Sequence, residues 1–262
     1  MPFVQTGNIK TYYEIHGQGP SLVFIHGAGG SHDNWKPQVE YFSKSYHIMT
    51  YDVRGHQQSE GFDEGYSCEM FADDLHALLN ALDIRNPVIC GLSLGGMIAQ
   101  EYAIKYPDNL RGLVLADTAV ASAMTLSDKL TKAVYPPRLV KWTIRRMSPE
   151  RYADWSFKYF DMKEEVREYL KEEQLKLNQE ELIKIIDAVY KFKMLPLEKI
   201  SVPTLVILGE NERKAVFPHA EKMIELIPNS RKVLVPDAGH ASNLENPDFF
   251  NMEVEKLLHE CS

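Results

Sequence analysis

Six short runs of branched aliphatic residues, separated by stretches of helical periodicity, set the tightest limit on what this chain can fold into. They are SLVFIHG (Ser21–Gly27), HIMTYD (His47–Asp52), PVICGLS (Pro87–Ser93), LRGLVLAD (Leu110–Asp117), PTLVILGE (Pro203–Glu210) and RKVLVPDAGH (Arg231–His240). Near-continuous apolar runs of this length suit strands covered on both faces, and their alternation with helices is the pattern of βαβ units. The expected fold is therefore α/β, with a doubly wound, mostly parallel sheet. Ahead of these runs, IKTYYEIHG alternates polar and apolar residues, as an antiparallel edge strand with one wet face does.

The strand signal disappears between Asp117 and about Pro196. EELIKIIDAVYKF places Leu182, Ile185, Ile186 and Val189 on one helical stripe, and EEVREYLKEEQLKL does the same with Val166, Tyr169, Leu170 and Leu177. The chain thus divides into a first core part, 1–118, an inserted helical cap, 119–196, and a second core part, 197–262. The cap is rich in large side chains: Trp142, Met147, Trp155, Phe157, Tyr159, Phe160, Phe192 and Met194. Some are expected to face a cavity shared with the core.

Composition excludes several function classes. A length of 262 residues suffices for one large domain or a core with an insertion. The net charge of -8, with no run of Lys and Arg interleaved with aromatics, gives nucleic acid nothing to bind. The N-terminal MPFVQTGNIKTYYEIHG lacks a secretion-signal pattern, and no segment approaches the roughly 18 unbroken apolar residues of an integral membrane span. A cytoplasmic protein, monomeric or homodimeric, is expected. Cys68, Cys90 and Cys261 are odd in number and lack metal-type spacing, so neither a disulfide framework nor a metal site is indicated.

Within CGLSLGG (Cys90–Gly96), Ser93 lies between a run that ends a buried strand and LGGMIAQEYAIKYP, which opens an apolar helix. At such a strand-to-helix turn the backbone is forced into an unfavourable conformation that presents the hydroxyl at the carboxyl edge of the sheet. Side chains at Gly91 or Gly95 would collide across the turn. A serine hydroxyl needs a base to become nucleophilic, and neutral histidine is the usual one. His240, in PDAGHASNLENP after the last run, is placed to lean over the same edge. His56 and His219 are outside candidates on loops, while His16, His47, His76 and His259 fall within expected strands or helices.

The imidazole in turn needs a carboxylate to fix its tautomer. Glu212 in VILGENERKAVFP is favoured, with Glu210 and Asp117 as alternatives. Backbone amides would hold the oxyanion: Leu94, which follows the nucleophile and opens the helix, and Ala28 in HGAGGSHDNW. That glycine run lacks the Lys-Ser/Thr ending of a phosphate-binding loop and the spacing of a dinucleotide fingerprint.

Taken together, FIHGAGGSHDNW, YDVRGHQQS, GLSLGG, GENE and AGHASNLENP resemble the α/β-hydrolase fold superfamily along nearly the whole chain, in its order of nucleophile, acid and histidine. The resemblance, to the serine-nucleophile carboxylesterase and lipase-like branch, implies an eight-stranded sheet, a cap inserted after its sixth strand and no cofactor. Two features depart from the pattern. Gln57 stands where the family usually has Gly, and the acid is more often an Asp with Pro a few residues later, whereas Pro218 follows Glu212 at a longer gap. Asp52 and Arg54 are read as braces of the turn after the second run.

The activity implied is hydrolysis of carboxylic esters with small to medium apolar acyl or alcohol groups through an acyl-enzyme. A lactonase, a monoacylglycerol lipase or a C–C bond hydrolase would share the same motifs, the last favoured by Arg138, Arg145 or Arg146 pointing inward. A ligand receptor on a hydrolase scaffold is the alternative from another class. It expects single-turnover behaviour and an exposed apolar cap face.

Overall fold

The computed structural model describes residues 2–158 and 160–261. Eight strands form one sheet: β1 (Phe3–Thr6), β2 (Ile9–His16), β3 (Ser21–Ile25), β4 (His47–Tyr51), β5 (Val88–Leu92), β6 (Gly112–Ala116), β7 (Thr204–Gly209) and β8 (Ser230–Val235). Their order across the sheet is β1-β2-β4-β3-β5-β6-β7-β8. β1 with β2 and β2 with β4 run antiparallel, and every other neighbouring pair is parallel. IKTYYEIHG is the antiparallel strand expected, but not the edge: the four-residue β1 covers its outer side. So short a strand leaves almost no periodic trace in sequence.

The helices are α1 (Lys36–Phe42), α2 (Cys68–Ala81), α3 (Leu94–Lys105), α4 (Leu126–Val134), α5 (Pro137–Arg146), α6 (Pro149–Phe157), α7 (Glu164–Leu175), α8 (Gln179–Lys191), α9 (Phe217–Leu226), α10 (Ser242–Glu245) and α11 (Pro247–Glu260). Alternate residues along each core strand point to opposite faces. Val23, Ile25, Ile89, Leu113, Leu115, Val206 and Leu208 pack under α2, α3 and α9. Leu22, Phe24, Val88, Cys90, Val114, Leu205 and Ile207 pack under α1 and α11. This two-sided burial is why those runs read as unbroken apolar stretches.

The described residues between β6 and β7 form helices α4 to α8 and no strand. A small separate cluster of Phe157, Met162, Val166 and Ala241 joins this helical segment to the loop after β8. No helix among the described residues is long and apolar enough to cross a membrane. The three cysteines are unbridged.

Candidate active site

Ser93 follows β5 directly and caps α3. Its backbone has φ 54° and ψ −113°, a left-handed region that a non-glycine residue occupies only when its surroundings hold it there. The Ser93 amide donates to the Ala116 carbonyl at 2.9 Å, and Thr118 Oγ1 donates to the Ser93 carbonyl at 2.6 Å. The glycines around it are demanded by contact. A Cβ on Gly91 would lie 2.2 Å from the Gly95 carbonyl oxygen, and one on Gly95 would lie 2.1 Å from that of Ile25. Since backbone is on both sides, neither can yield. Gly91→Ala is expected to cost about 3 kcal/mol or more and to lower Tm by roughly 10 °C. Gly65→Ala, at a site with nothing within 4 Å, should leave Tm nearly unchanged in the same thermal scan.

The loop after β8 brings His240 over this turn. Its Nε2 accepts from Ser93 Oγ at 3.1 Å, and its Nδ1 donates to Glu212 Oε2 at 2.5 Å. Glu212 follows β7 through a turn closed by its own amide on the Gly209 carbonyl, 3.1 Å. Its side chain is wholly buried. Burial disfavours its charge, but His240 and the Arg213 amide more than offset this, so the carboxyl lies below the ordinary range. Burial likewise opposes an imidazolium at His240. The Glu212 carboxylate and the charge of Asp117 outweigh it and raise the pKa above the usual histidine value.

The two alternative acids are placed elsewhere. Glu210 accepts from the Asp237 amide at 3.3 Å on the surface. Asp117 is buried at the end of β6, where it accepts from the Gly209 amide at 2.8 Å and from the Ser242 amide and hydroxyl at 3.1 and 2.6 Å. It ties β7 to the histidine loop without bonding the imidazole. Burial and the neighbouring Glu212 charge push its pKa up to about 7.

Leu94 opens α3, so its amide has no carbonyl one turn earlier to bond. Ala28, in the loop after β3, lines the same cavity as Ser93, and a Cβ on the preceding Gly27 would be 3.9 Å from Ser93 Oγ. Two buried histidines hold that loop. His26 Nδ1 donates to the Gly27 carbonyl at 2.8 Å while its Nε2 accepts from the Val53 amide at 3.0 Å. His56 Nε2 accepts from the Gly29 amide at 3.2 Å. Burial and the neighbouring His26 lower the pKa of His56 to about 3, so it stays neutral. Its Nδ1 faces the Val53 and Arg54 carbonyls at 3.2 Å each, so both ring nitrogens are taken up by backbone and His56 braces the glycine loop. His219, the other outside candidate, pairs with Asp128 at 3.3 Å under α4 and lines a different cavity.

The brace residues sit close by. Asp52 accepts from the His32 amide and ring at 2.9 and 2.8 Å, and Arg54 grips Asp74 through two bonds of 2.6 and 2.5 Å. Gln57 has φ 40°, the conformation for which Gly is the easier residue, and its side chain donates to the Glu173 carbonyl of α7 at 2.8 Å. That bond links the core to the segment above it.

A cavity of about 140 Å³ opens beside Ser93 and His240. Tyr152, Phe157, Phe160, Met162, Leu170 and Ile186 supply most of its walls, with Asn34 and Gln174 as polar points. Some of the cap's large residues were expected to face it, and among the described residues Phe157 and Phe160 do so. Phe160 stacks on the His240 ring at 4.3 Å between centroids. Trp142 and Met194 are exposed, Phe192 is buried in the core, Met147 and Trp155 pack against that core, and Tyr159 lies outside the described residues. Arg138 and Arg146 are solvent-exposed and Arg145 pairs with Glu180 at 2.9 Å, so none enters the cavity. Gln174 was hidden in sequence by its polar helix; here it packs 3.2 Å from the space a Cβ on Gly29 would fill.

Comparison with known proteins agrees with this architecture. An esterase from Thermogutta terrifontis, solved with malate bound, superposes with a TM-score of 0.87 at 27% identity, covering 99% of this chain and 97% of that one. The enol-lactonase from Burkholderia xenovorans gives 0.86 at 25% identity, covering 98% and 100%. The 3-oxoadipate enol-lactonase 2 of Acinetobacter baylyi is 27% identical over 258 residues, 96% of this chain and 94% of the relative. The family model described as alpha/beta hydrolase fold matches residues 20–247, and the chain therefore belongs to that family.

Proposed function

We propose that this α/β-fold hydrolase is a serine hydrolase that cleaves small, uncharged carboxylic esters through an acyl-enzyme, with Ser93 as nucleophile, His240 as base and Glu212 as its orienting acid. The observation that carries the reading is the continuous Ser93–His240–Glu212 hydrogen-bond chain at the mouth of an apolar cavity. Ser93 Oγ attacks the ester carbonyl as His240 Nε2 takes its proton, and the oxyanion is met by the Leu94 and Ala28 amides. The imidazolium returns that proton to the departing alkoxide. Water, deprotonated by His240, then releases the acid and restores Ser93. Residues 119–196, carrying α4 to α8, act as the cap that closes the cavity.

Size and charge narrow the substrate. The cavity is close to the engineered void of about 150 Å³ that admits benzene, so an acyl group of roughly six carbons fills it. Its described lining includes no Lys or Arg, so a carboxylate on the substrate would be buried unpaired. A nitrophenyl ester series is the test: kcat/KM is expected to fall at least about tenfold between butyryl and octanoyl esters. A rate that climbs steadily with chain length would refute the small-acyl reading. The lactonase relatives in Acinetobacter and Burkholderia favour a second reading, in which the ester is cyclic and the alkoxide stays tethered. Uncharged lactones run beside the linear esters decide between them by the larger kcat/KM. The receptor reading expects an exposed apolar cap face, which α4 and α5 do provide. Sustained multiple turnover would count against it.

A further inference from the structure

Helix α4 is turned inside out. A surface helix normally buries its apolar stripe and exposes its charges. On α4, Leu126, Leu130 and Val134 recur every fourth residue and so share one face, yet they are 73%, 59% and 62% exposed. The polar face points inward: Asp128 receives His219, and Lys132 donates to Ser122 Oγ and the Tyr190 carbonyl. Beyond the Pro136-Pro137 break, α5 buries Val140 and Ile144 and turns Leu139 and Trp142 outward, the latter 57% exposed. The Arg146 guanidinium lies over the Trp142 ring at 5.8 Å.

Charge says what covers this face. Between Leu126 and Arg146 stand Lys129, Lys132, Arg138, Lys141, Arg145 and Arg146 against the single Asp128, on a chain carrying -8 overall. Lys132 turns inward and Lys141 and Arg145 pair with Asp187 and Glu180, which leaves three cations on the outer face. The outward Lys129, Arg138 and Arg146 have no carboxylate within salt-bridge distance among the described residues. A second copy docked about a two-fold axis would set these cations against their own equivalents. A surface both anionic and apolar beneath its charge suits them: phosphate headgroups would take the Arg and Lys side chains, and the acyl boundary would take Leu, Val and Trp. The acidic remainder of the chain is repelled by the same surface, which fixes the orientation.

We infer that α4 and α5 form a docking face for anionic lipid bilayers, on which the protein lies without spanning them. The inference does not depend on the chemistry at Ser93. The test is cosedimentation of the full chain with vesicles of phosphatidylcholine alone and of phosphatidylcholine with about a third phosphatidylglycerol. Partitioning onto the anionic vesicles is expected to exceed that onto the neutral ones by about tenfold and to fall in high salt. Leu130→Ser with Trp142→Ser, and separately Arg138→Gln with Arg146→Gln, should each reduce it about tenfold or more. Both pairs are exposed, and an unchanged circular dichroism spectrum and thermal midpoint would verify folding. Equal partitioning onto both vesicle types, failure to bind either, or binding that the two double variants leave intact would overturn the assignment. Failure to bind either, accompanied by a dimer that Leu130→Ser dissociates in light scattering, would give the face to a second copy instead.

Discussion

Ser93→Ala is expected to lower kcat on a short nitrophenyl ester by about 100,000-fold or more, because no other described hydroxyl bonds the base that would activate it. The residual rate should still exceed the uncatalysed one by roughly a thousandfold, since the Leu94 and Ala28 amides and the cavity remain. The same position carries a stability signature. Ser93 holds φ at 54°, where glycine is unstrained, so Ser93→Gly should gain about 1 kcal/mol in denaturant unfolding while losing turnover as fully as alanine does. Near wild-type turnover in either variant would reduce Ser93 to a turn residue.

The second large effect is at Glu212. Replacing it by glutamine keeps the shape but removes the carboxylate that orients His240 and stabilises its charged form, and kcat should drop about 10,000-fold. The pH profile moves with it. In the proposed mechanism His240 must be neutral to accept the proton, so activity is expected to be lost as pH falls through its pKa. In the native protein that pKa is raised, mainly against burial, by Glu212 and Asp117, placing the acid limb above the ordinary histidine value near 6.5. Without Glu212 the burial penalty is left largely unopposed, and the limb should shift to lower pH. Glu210→Gln, on the surface, should change neither rate nor limb. If Glu210→Gln proved the damaging variant, the acid would have been misassigned.

What could be read in the sequence follows from what physics makes local. Strands buried on both faces must be continuously apolar, so β3 to β7 were legible as runs, and the strand-turn-helix context around Ser93 was legible for the same reason. β8, the half-buried edge strand, left only a shorter apolar trace at 233–235. The histidine was accessible because a single Gly-His loop follows the last run. Glu212 was favoured over Glu210 and Asp117 but not separated from them, because which carboxylate turns inward depends on the Gly209 turn as well as on spacing from the strand. The cavity walls were mostly out of reach. Phe157 and Phe160 face it but Trp142 faces water, and an aromatic count cannot tell these apart. α4 makes the point sharply: a stripe of Leu126, Leu130 and Val134 has the same period whether it faces the core or the solvent. Only the packing of Asp128 and Lys132 beneath it decides.

Substrate is expected to become covalently attached at Ser93 Oγ. Peptide mass spectrometry of the protein inactivated by a fluorophosphonate measures this directly. A single phosphonyl group on the peptide carrying Ser93, formed in step with loss of activity, is the expected result. A label on another residue, or full inactivation with Ser93 unmodified, would contradict it.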